Sequence, residues 1–247
     1  MSVWYEYKTG VDSRDADGQG NCRPSALLGH LQEAATLAAE EGGFGRQRMM
    51  EEYRAFWMLA RMWFRLERPL RWGEELTVQT WHRGGTSAAM YRDFDLLAGG
   101  RPAGEAVSLW VLAGADSRRL LRLDSVGLLA GTDGGARCKK KKLLKLPAPK
   151  ELRSAGQRRM RYSDTDMNGH VNNTRYADFA CDAIGMEDLP EGRFLQEMQL
   201  GYLAECRVKE ELTLLTGQEE RGLYVQGRDG AGKSRFETCM IFGNVFP

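Results

Sequence analysis

Residues 163–185 read SDTDMNGHVNNTRYADFACDAIG, a polar loop that runs without a break into an apolar-striped helix. Tyr176, Phe179, Ala180, Ala183 and Ile184 recur at helical spacing over about residues 173–184. Asn172 or Asn173 can cap the start, and Gly185 ends the helix. In the loop, Asp166, Asn168 and His170 occupy alternate positions. Alternate side chains of an extended segment point the same way, so a carboxylate, a carboxamide and an imidazole can converge. A helix start adds unpaired backbone N–H groups and a partial positive charge. An acid/base pair beside an anion-stabilising backbone is what acyl-transfer chemistry requires.

The same arrangement recurs nearer the N-terminus. Residues from about Pro24 to Glu41 carry Leu27, Leu31, Ala34, Ala35 and Ala38 at helical spacing, with Pro24 at an early helical position and Gly42-Gly43 as the stop. Four strand-like runs follow: Ala55 to Leu66, Trp72 to His82, Ala88 to Leu97 and Glu105 to Leu112. After the second helix the order repeats, with Arg193 to Leu203, Glu211 to Gly217, Gly222 to Arg228 and Arg235 to Phe242. Each half also has a candidate strand before its helix, Val3 to Lys8 and Arg158 to Tyr162. One apolar helix per half, followed by about four strands, fits an α+β fold in which an antiparallel sheet wraps one long central helix. That is a hotdog, here in tandem. The expected division is an N-terminal hotdog at 1–123, a linker at 124–155 and a C-terminal hotdog at 156–247. The linker carries Gly131-Thr132-Asp133-Gly134-Gly135, Lys139 to Lys142 and Pro147-Ala148-Pro149, and reads as a surface crossing.

If Asp17 is laid on Asp166, Gln19 falls on Asn168 and Asn21 on His170. The first half then keeps polar groups but has no base. One reaction centre, in the second half, is expected.

Composition narrows the classes. Of 247 residues, 42% are hydrophobic and 28% charged, as in ordinary globular domains. Lys+Arg 35 against Asp+Glu 34 offers no field for nucleic acid or an anionic membrane. No apolar run approaches a membrane span, and Met1 to Lys8 lacks a signal-peptide pattern. Five scattered cysteines without CxxC spacing suit a reducing cytoplasm and argue against a zinc site, so no metal and no cofactor are expected.

Asp164, Asn172 and Asn173 read as turn and cap residues. Glu205-Cys206 follows the run Phe194 to Leu203, where a carboxylate could face the second-half loop. Cys206 invites a Cys–His scheme, although a cysteine there is more often a small buried hydrophobe. Lys139 to Lys142 reads as solvated surface, with carrier docking as its functional alternative. Trp57, Trp63, Trp72, Trp81 and Trp110 read as core and pocket wall. Gly227 to Ser234 lacks the spacing of a phosphate loop and reads as a hairpin turn.

Asp164 to Tyr176 resembles the signature loop and helix start of acyl-ACP thioesterases from plants and bacteria. His30 to Ala35, Trp72-Gly73-Glu74 with Thr77 to Trp81, and Tyr202 to Cys206 are similar to further segments of that family, in the right order along nearly the whole chain. The resemblance implies a tandem hotdog that hydrolyses fatty acyl thioesters of acyl carrier protein. Its catalytic positions fall on Asp166, Asn168, His170 and Glu205, with Cys206 as a possible nucleophile in a papain-like scheme. Gly169 departs from the glutamine usual in plant members. The acyl chain is expected in an apolar tunnel lined by the first half, with the carbonyl at the second helix start. Fusion makes the chain an internal pseudo-dimer, either a monomer or half of a homodimer. The alternatives are an acyl-CoA thioesterase and a non-catalytic acyl-carrier binding module.

Overall fold

Strand pairing alone reveals an internal repeat. The computed structural model describes residues 4–126, 134–220 and 222–245. Val3 and the linker residues Gly131 to Asp133 lie outside them. The first half contributes β1 (Tyr5–Gly10), α1 (Pro24–Glu41), α2 (Arg46–Tyr53), β2 (Ala55–Leu66), β3 (Glu75–Gly85), β4 (Met90–Ala98), β5 (Arg101–Gly114) and the two-residue β6 (Leu120–Leu121). The second contributes β7 (Arg153–Arg159), α3 (Arg175–Ala183), β8 (Arg193–Tyr202), β9 (Glu211–Gln218), β10 (Leu223–Arg228) and β11 (Ser234–Asn244).

The strands run in the order β1-β3-β4-β5-β2-β8-β11-β10-β9-β7, with β6 on β5. Read outward from the centre, the two sides match strand for strand. The junction is the antiparallel pairing of β2 with β8, from Arg61 opposite Gly201 to Arg65 opposite Glu197. The two expected sheets are thus one continuous sheet.

The helices pack against it as their sequences dictate. α1 buries Leu27, Leu28, Leu31, Ala34 and Ala35, one stripe of an amphipathic helix. It stops where Gly42 donates to the Ala38 carbonyl and Gly43 takes φ +75°. α3 is shorter than expected, nine residues. A helix of that length is marginal alone, and packing holds it: the Tyr176 ring lies 5.8 Å from Phe179 and 5.1 Å from Phe236. Leu27, Leu31, Phe64, Tyr176, Phe179, Met198 and Val225 belong to one buried cluster, so the two halves share a core.

The linker is clamped to the outer sheet face rather than loosely draped. Cys138 and Leu143 are buried against Trp63, Val107 and Leu109. Asp93, fully buried, pairs with Arg83, and Arg83 donates to the carbonyls of Lys140 and Lys141. Gln199 holds the Leu144 carbonyl, and the Leu146 N–H donates to Glu237. The lysine run therefore has a backbone role, with Lys140 also lying 5.5 Å above the Trp63 ring. Trp63 and Trp81 are buried as expected, but Trp72 is 65% exposed.

Candidate active site

Asp166 begins a tight turn, not the extended run that alternation suggested. Its carbonyl accepts the Gly169 N–H at 3.1 Å, and its own N–H donates to the His170 carbonyl at 2.9 Å. One carboxylate oxygen accepts the Asn168 backbone N–H at 2.8 Å, and the other lies 3.4 Å from the Asn168 side-chain amide. Gly169 has φ +75°, a conformation that favours glycine over a residue with a Cβ.

Two further segments fold the same way. Asp17 and Asp229 make the same pair of backbone bonds, to Gly20 and Asn21 and to Gly232 and Lys233, with Gly20 at +75° and Gly232 at +77°. In each, a carboxylate oxygen accepts the N–H two residues on. The turn is a scaffold that any Asp-x-x-Gly stretch can adopt. Chemistry depends on the residue that closes it and on what that residue meets.

At the second-half turn the closing residue is His170. Its Nε2 lies 3.2 Å from Oε2 of Glu205. The imidazole is mostly covered while the carboxylate is about half exposed, so the pair sits at the surface with one side open. The Val171 N–H donates to the Cys206 carbonyl at 2.8 Å and ties the two segments together. Asp166, Asn168, His170 and Glu205 are thus brought to one place.

Arg235 was not singled out by the sequence. Its guanidinium donates to the Glu205 carbonyl at 2.6 Å and is itself held by Asp229 at 2.9 Å. The β10–β11 turn read as a plain hairpin therefore also fixes the backbone that carries Glu205. Asp164 is structural, as expected. Its carboxylate, fully buried, accepts the Arg161 N–H and faces Arg158 and Arg175.

The start of α3 offers less than anticipated. The Asn172 side-chain oxygen takes the Thr174 N–H, and the Asn172 carbonyl takes the Arg175 N–H. Those donors are occupied, which leaves the exposed Asn168 amide as the nearby side-chain donor.

Cys206 is a poor nucleophile here. It is fully buried, in the same core cluster as Tyr176 of α3. Burial pushes that thiol up from its ordinary value, as it does Cys181 and Cys239, and raises Cys22 and Cys138 to about 12. A raised pKa means less thiolate at a given pH. The folded protein at pH 8 is therefore expected to react with iodoacetamide far more slowly than a free thiol, and all five cysteines to react in guanidinium. Rapid native labelling at Cys206 would contradict this.

The apolar stripe of α1, where a tunnel was expected, is packed into the core shared by the two halves. A separate cluster of Met49, Ala55, Leu112 and Leu123, joined by Phe44, Tyr53, Trp57, Met90 and Leu121, lies under α2. Arg46, the first residue of α2, lies 3.6 Å from the Met167 sulfur in the second-half turn. The apolar cluster therefore adjoins the site.

Comparison with known proteins identifies the family and the fold. Models of the acyl-ACP thioesterase N-terminal and C-terminal domains match residues 3–125 and 148–235. Oleoyl-acyl carrier protein thioesterase 1 of Arabidopsis thaliana is 27% identical, covering 94% of this chain and 70% of its own length. Dodecanoyl-[acyl-carrier-protein] hydrolase of Cinnamomum camphora is 28% identical over 80% of this chain and 56% of its own. Both are described as chloroplastic, and the chain spans between about half and 70% of such relatives. Among solved structures, an acyl-ACP thioesterase from Bacteroides thetaiotaomicron has a TM-score of 0.80 at 22% identity, covering 98% of this chain and 100% of that one. The 12:0-ACP thioesterase of Umbellularia californica has a TM-score of 0.79 at 22% identity, covering 99% and 98%. These likenesses establish the tandem hotdog fold, and with both domain models matched in order the chain belongs to the acyl-ACP thioesterase family.

Proposed function

We propose that this chain hydrolyses the thioester of fatty acyl-[acyl carrier protein], releasing the free acid and ending chain elongation. The observation that carries the proposal is the 3.2 Å approach of His170 to Glu205 beside the Asp166 turn. Glu205 takes a proton from a water held between it and the thioester carbon. The water oxygen forms the new C–O bond, the C–S bond breaks, and the thiolate leaves with the proton relayed through His170. Asp166 is committed to Asn168 through both oxygens, so it orients that amide and does not attack. The Asn168 amide faces the developing oxyanion. A thiolate leaves readily, and no metal or cofactor is required.

The first half supports the acyl-binding role. The chain enters past Arg46 and Met167 into the cluster under α2, displacing Phe44, Trp57 and Met90 side chains. Each buried methylene contributes about 0.8 kcal/mol, so the depth of this cluster sets the preferred acyl length. One chain carries the whole site, which suits a monomer. Five free cysteines suit a reducing, cytoplasmic compartment. No helix among the described residues is long and apolar enough to cross a membrane.

The carrier docks on the rim of the site. Arg46, Arg161 and Arg207 are exposed there, beside Tyr162 at 89%, Met167 at 85% and Val208 at 40% exposure. Cations around an apolar patch fit the acidic face of a carrier protein. Arg46→Glu is expected to cost about 1 kcal/mol, a roughly fivefold rise in KM for acyl carrier at low salt, with kcat held and the effect fading as salt rises. An unchanged KM would move the docking surface elsewhere.

The function itself is tested by assaying one acyl group on carrier protein and on coenzyme A, over several chain lengths, with wild type and Cys206→Ala. Faster hydrolysis of the carrier substrate by both proteins is expected. Preference for the coenzyme A ester would mark an acyl-CoA thioesterase. Carrier binding without release of acid would mark a binding module.

A further inference from the structure

Glu205 lies outside any strand, in the stretch after β8, so no sheet ladder fixes it. Its carboxylate is about half exposed, and its approach to His170 depends on where the backbone beneath it is held. One residue of β11 holds that backbone at three successive points. The Arg235 carbonyl accepts the Leu203 N–H at 2.9 Å and the Ala204 N–H at 3.1 Å. Nη1 of the Arg235 guanidinium donates to the Glu205 carbonyl at 2.6 Å. The guanidinium is itself aimed: its Nε donates to Oδ2 of Asp229 at 2.9 Å, and both side chains are mostly covered. Oδ1 of Asp229 accepts the N–H groups of Ala231 and Lys233, at 3.0 and 2.9 Å, which fixes the carboxylate to its turn. The Lys233 N–H, and after it the Arg235 guanidinium, hold that carboxyl below its ordinary value, so the pair stays charged at neutral pH.

The internal repeat supplies a control within the same chain. Outward from the β2–β8 junction, β5 matches β11 and β4 matches β10. The Glu67 N–H donates to the Ala103 carbonyl at 2.9 Å as the Leu203 N–H donates to Arg235. The Cys22 N–H donates to the Leu70 carbonyl as the Val171 N–H donates to Cys206, each at 2.8 Å. Both matches give one register, in which Leu66 lies opposite Gly104 as Tyr202 lies opposite Phe236. Asn21 is then the counterpart of His170, Pro69 of Glu205 and Ala103 of Arg235. The turn headed by Asp229, between Arg228 and Ser234, is replaced by Gly99-Gly100 between Ala98 and Arg101. The first half therefore follows the same path with a methyl group where the second has a guanidinium. That path does not need the arginine in order to form. The arginine and its aspartate occur in the half that holds the imidazole and the carboxylate.

We propose that Arg235 is a positioning residue for the hydrolysis: held by Asp229, it grips the Glu205 carbonyl and so keeps the Glu205 carboxylate on His170. A hydrogen bond from a charged donor is roughly twice as strong as a neutral one, which suits a task of holding a half-exposed segment still. The role rests on the thioesterase reading above, whereas the geometry does not. The Leu203 and Ala204 bonds use the Arg235 backbone and survive any substitution of its side chain. Only the Glu205 bond is lost, so the chain path is kept and the aim of the carboxylate is not.

The test is steady-state hydrolysis of acyl carrier protein by Arg235→Ala and Arg235→Lys, each alone and in a Glu205→Gln background. Misplacing a reacting group by an ångström can cost about 100-fold, so Arg235→Ala should lower kcat by about tenfold or more while KM stays within about twofold. Arg235→Lys keeps a cationic donor and should recover part of that loss. In the Glu205→Gln background the alanine substitution should change kcat by less than about twofold, because the arginine acts through the glutamate. If Arg235→Ala does not fold, Asp229→Asn carries the same test, since it keeps an acceptor for the turn and removes the charge that holds the guanidinium. Near-normal kcat in Arg235→Ala, or an equal further loss in the Glu205→Gln background, overturns the proposal. A crystal structure of the same variant reads the geometry without substrate: Glu205 should leave its approach to His170, and a carboxylate that stays in place contradicts the clamp. A displaced Glu205 in that variant, together with a wild type that hydrolyses no acyl carrier, would sink the function above and leave the clamp standing.

Discussion

Replacing His170 with alanine is expected to lower kcat/KM for acyl carrier protein by about 10²–10⁴-fold, the usual contribution of positioned acid–base catalysis. The loss should fall on kcat, because the imidazole faces Glu205 and not the carrier rim. Glu205→Gln keeps the shape of the side chain but removes the base, and a loss of the same order follows. The two groups act as one unit, so the double variant should be little worse than either single one. Additive losses would mean that the two residues serve separate steps. A His170→Ala enzyme with near-normal kcat would remove the imidazole from the reaction.

The second large effect is on stability. Asp164→Ala should destabilise the fold by about 3–5 kcal/mol, because it strands cations that the buried carboxylate now compensates. For a chain of this size the melting temperature should fall by on the order of 10 °C. Arg158, which also lies 4.6 Å over the Phe179 ring, would lose its deepest partner. The Arg161 N–H would lose its acceptor at the start of the turn. Activity should fall too, since Asp164 immediately precedes the Thr165–Val171 bridge that closes the catalytic turn. Asp164→Asn keeps an acceptor and should recover part of the stability. An Asp164→Ala protein that melts with the wild type would show that the arginines find other partners.

The sequence made the helices and long strands legible because their burial leaves a period. β2 begins and ends where its apolar run does, and the α1 stripe is the buried stripe. β7 was misplaced because it is an edge strand, exposed along nearly its whole length, with no alternation to read. α2 was missed for a related reason: Met49 is its one buried residue. The site divided along the same line. His170 stood out by its chemistry and its position before a helix. Glu205 was legible as a carboxylate able to face the loop, but only the family likeness gave it a catalytic role, since a charge at a strand end has no local mark. Arg235 and Asp229 were invisible, because their role is a contact across the sheet to the Glu205 carbonyl. The linker clamp through Asp93 and Arg83 likewise joins residues whose spacing in sequence carries no pattern.

Water activation by the glutamate is tested most directly by one acid-quenched turnover in oxygen-18 water, with enzyme in excess over acyl carrier. The released acid should carry the heavy oxygen, while the enzyme keeps its mass and the Glu205 peptide keeps its light oxygens. An enzyme heavier by one acyl group, or label in the Glu205 carboxylate, would mean that the side chain attacks the thioester itself.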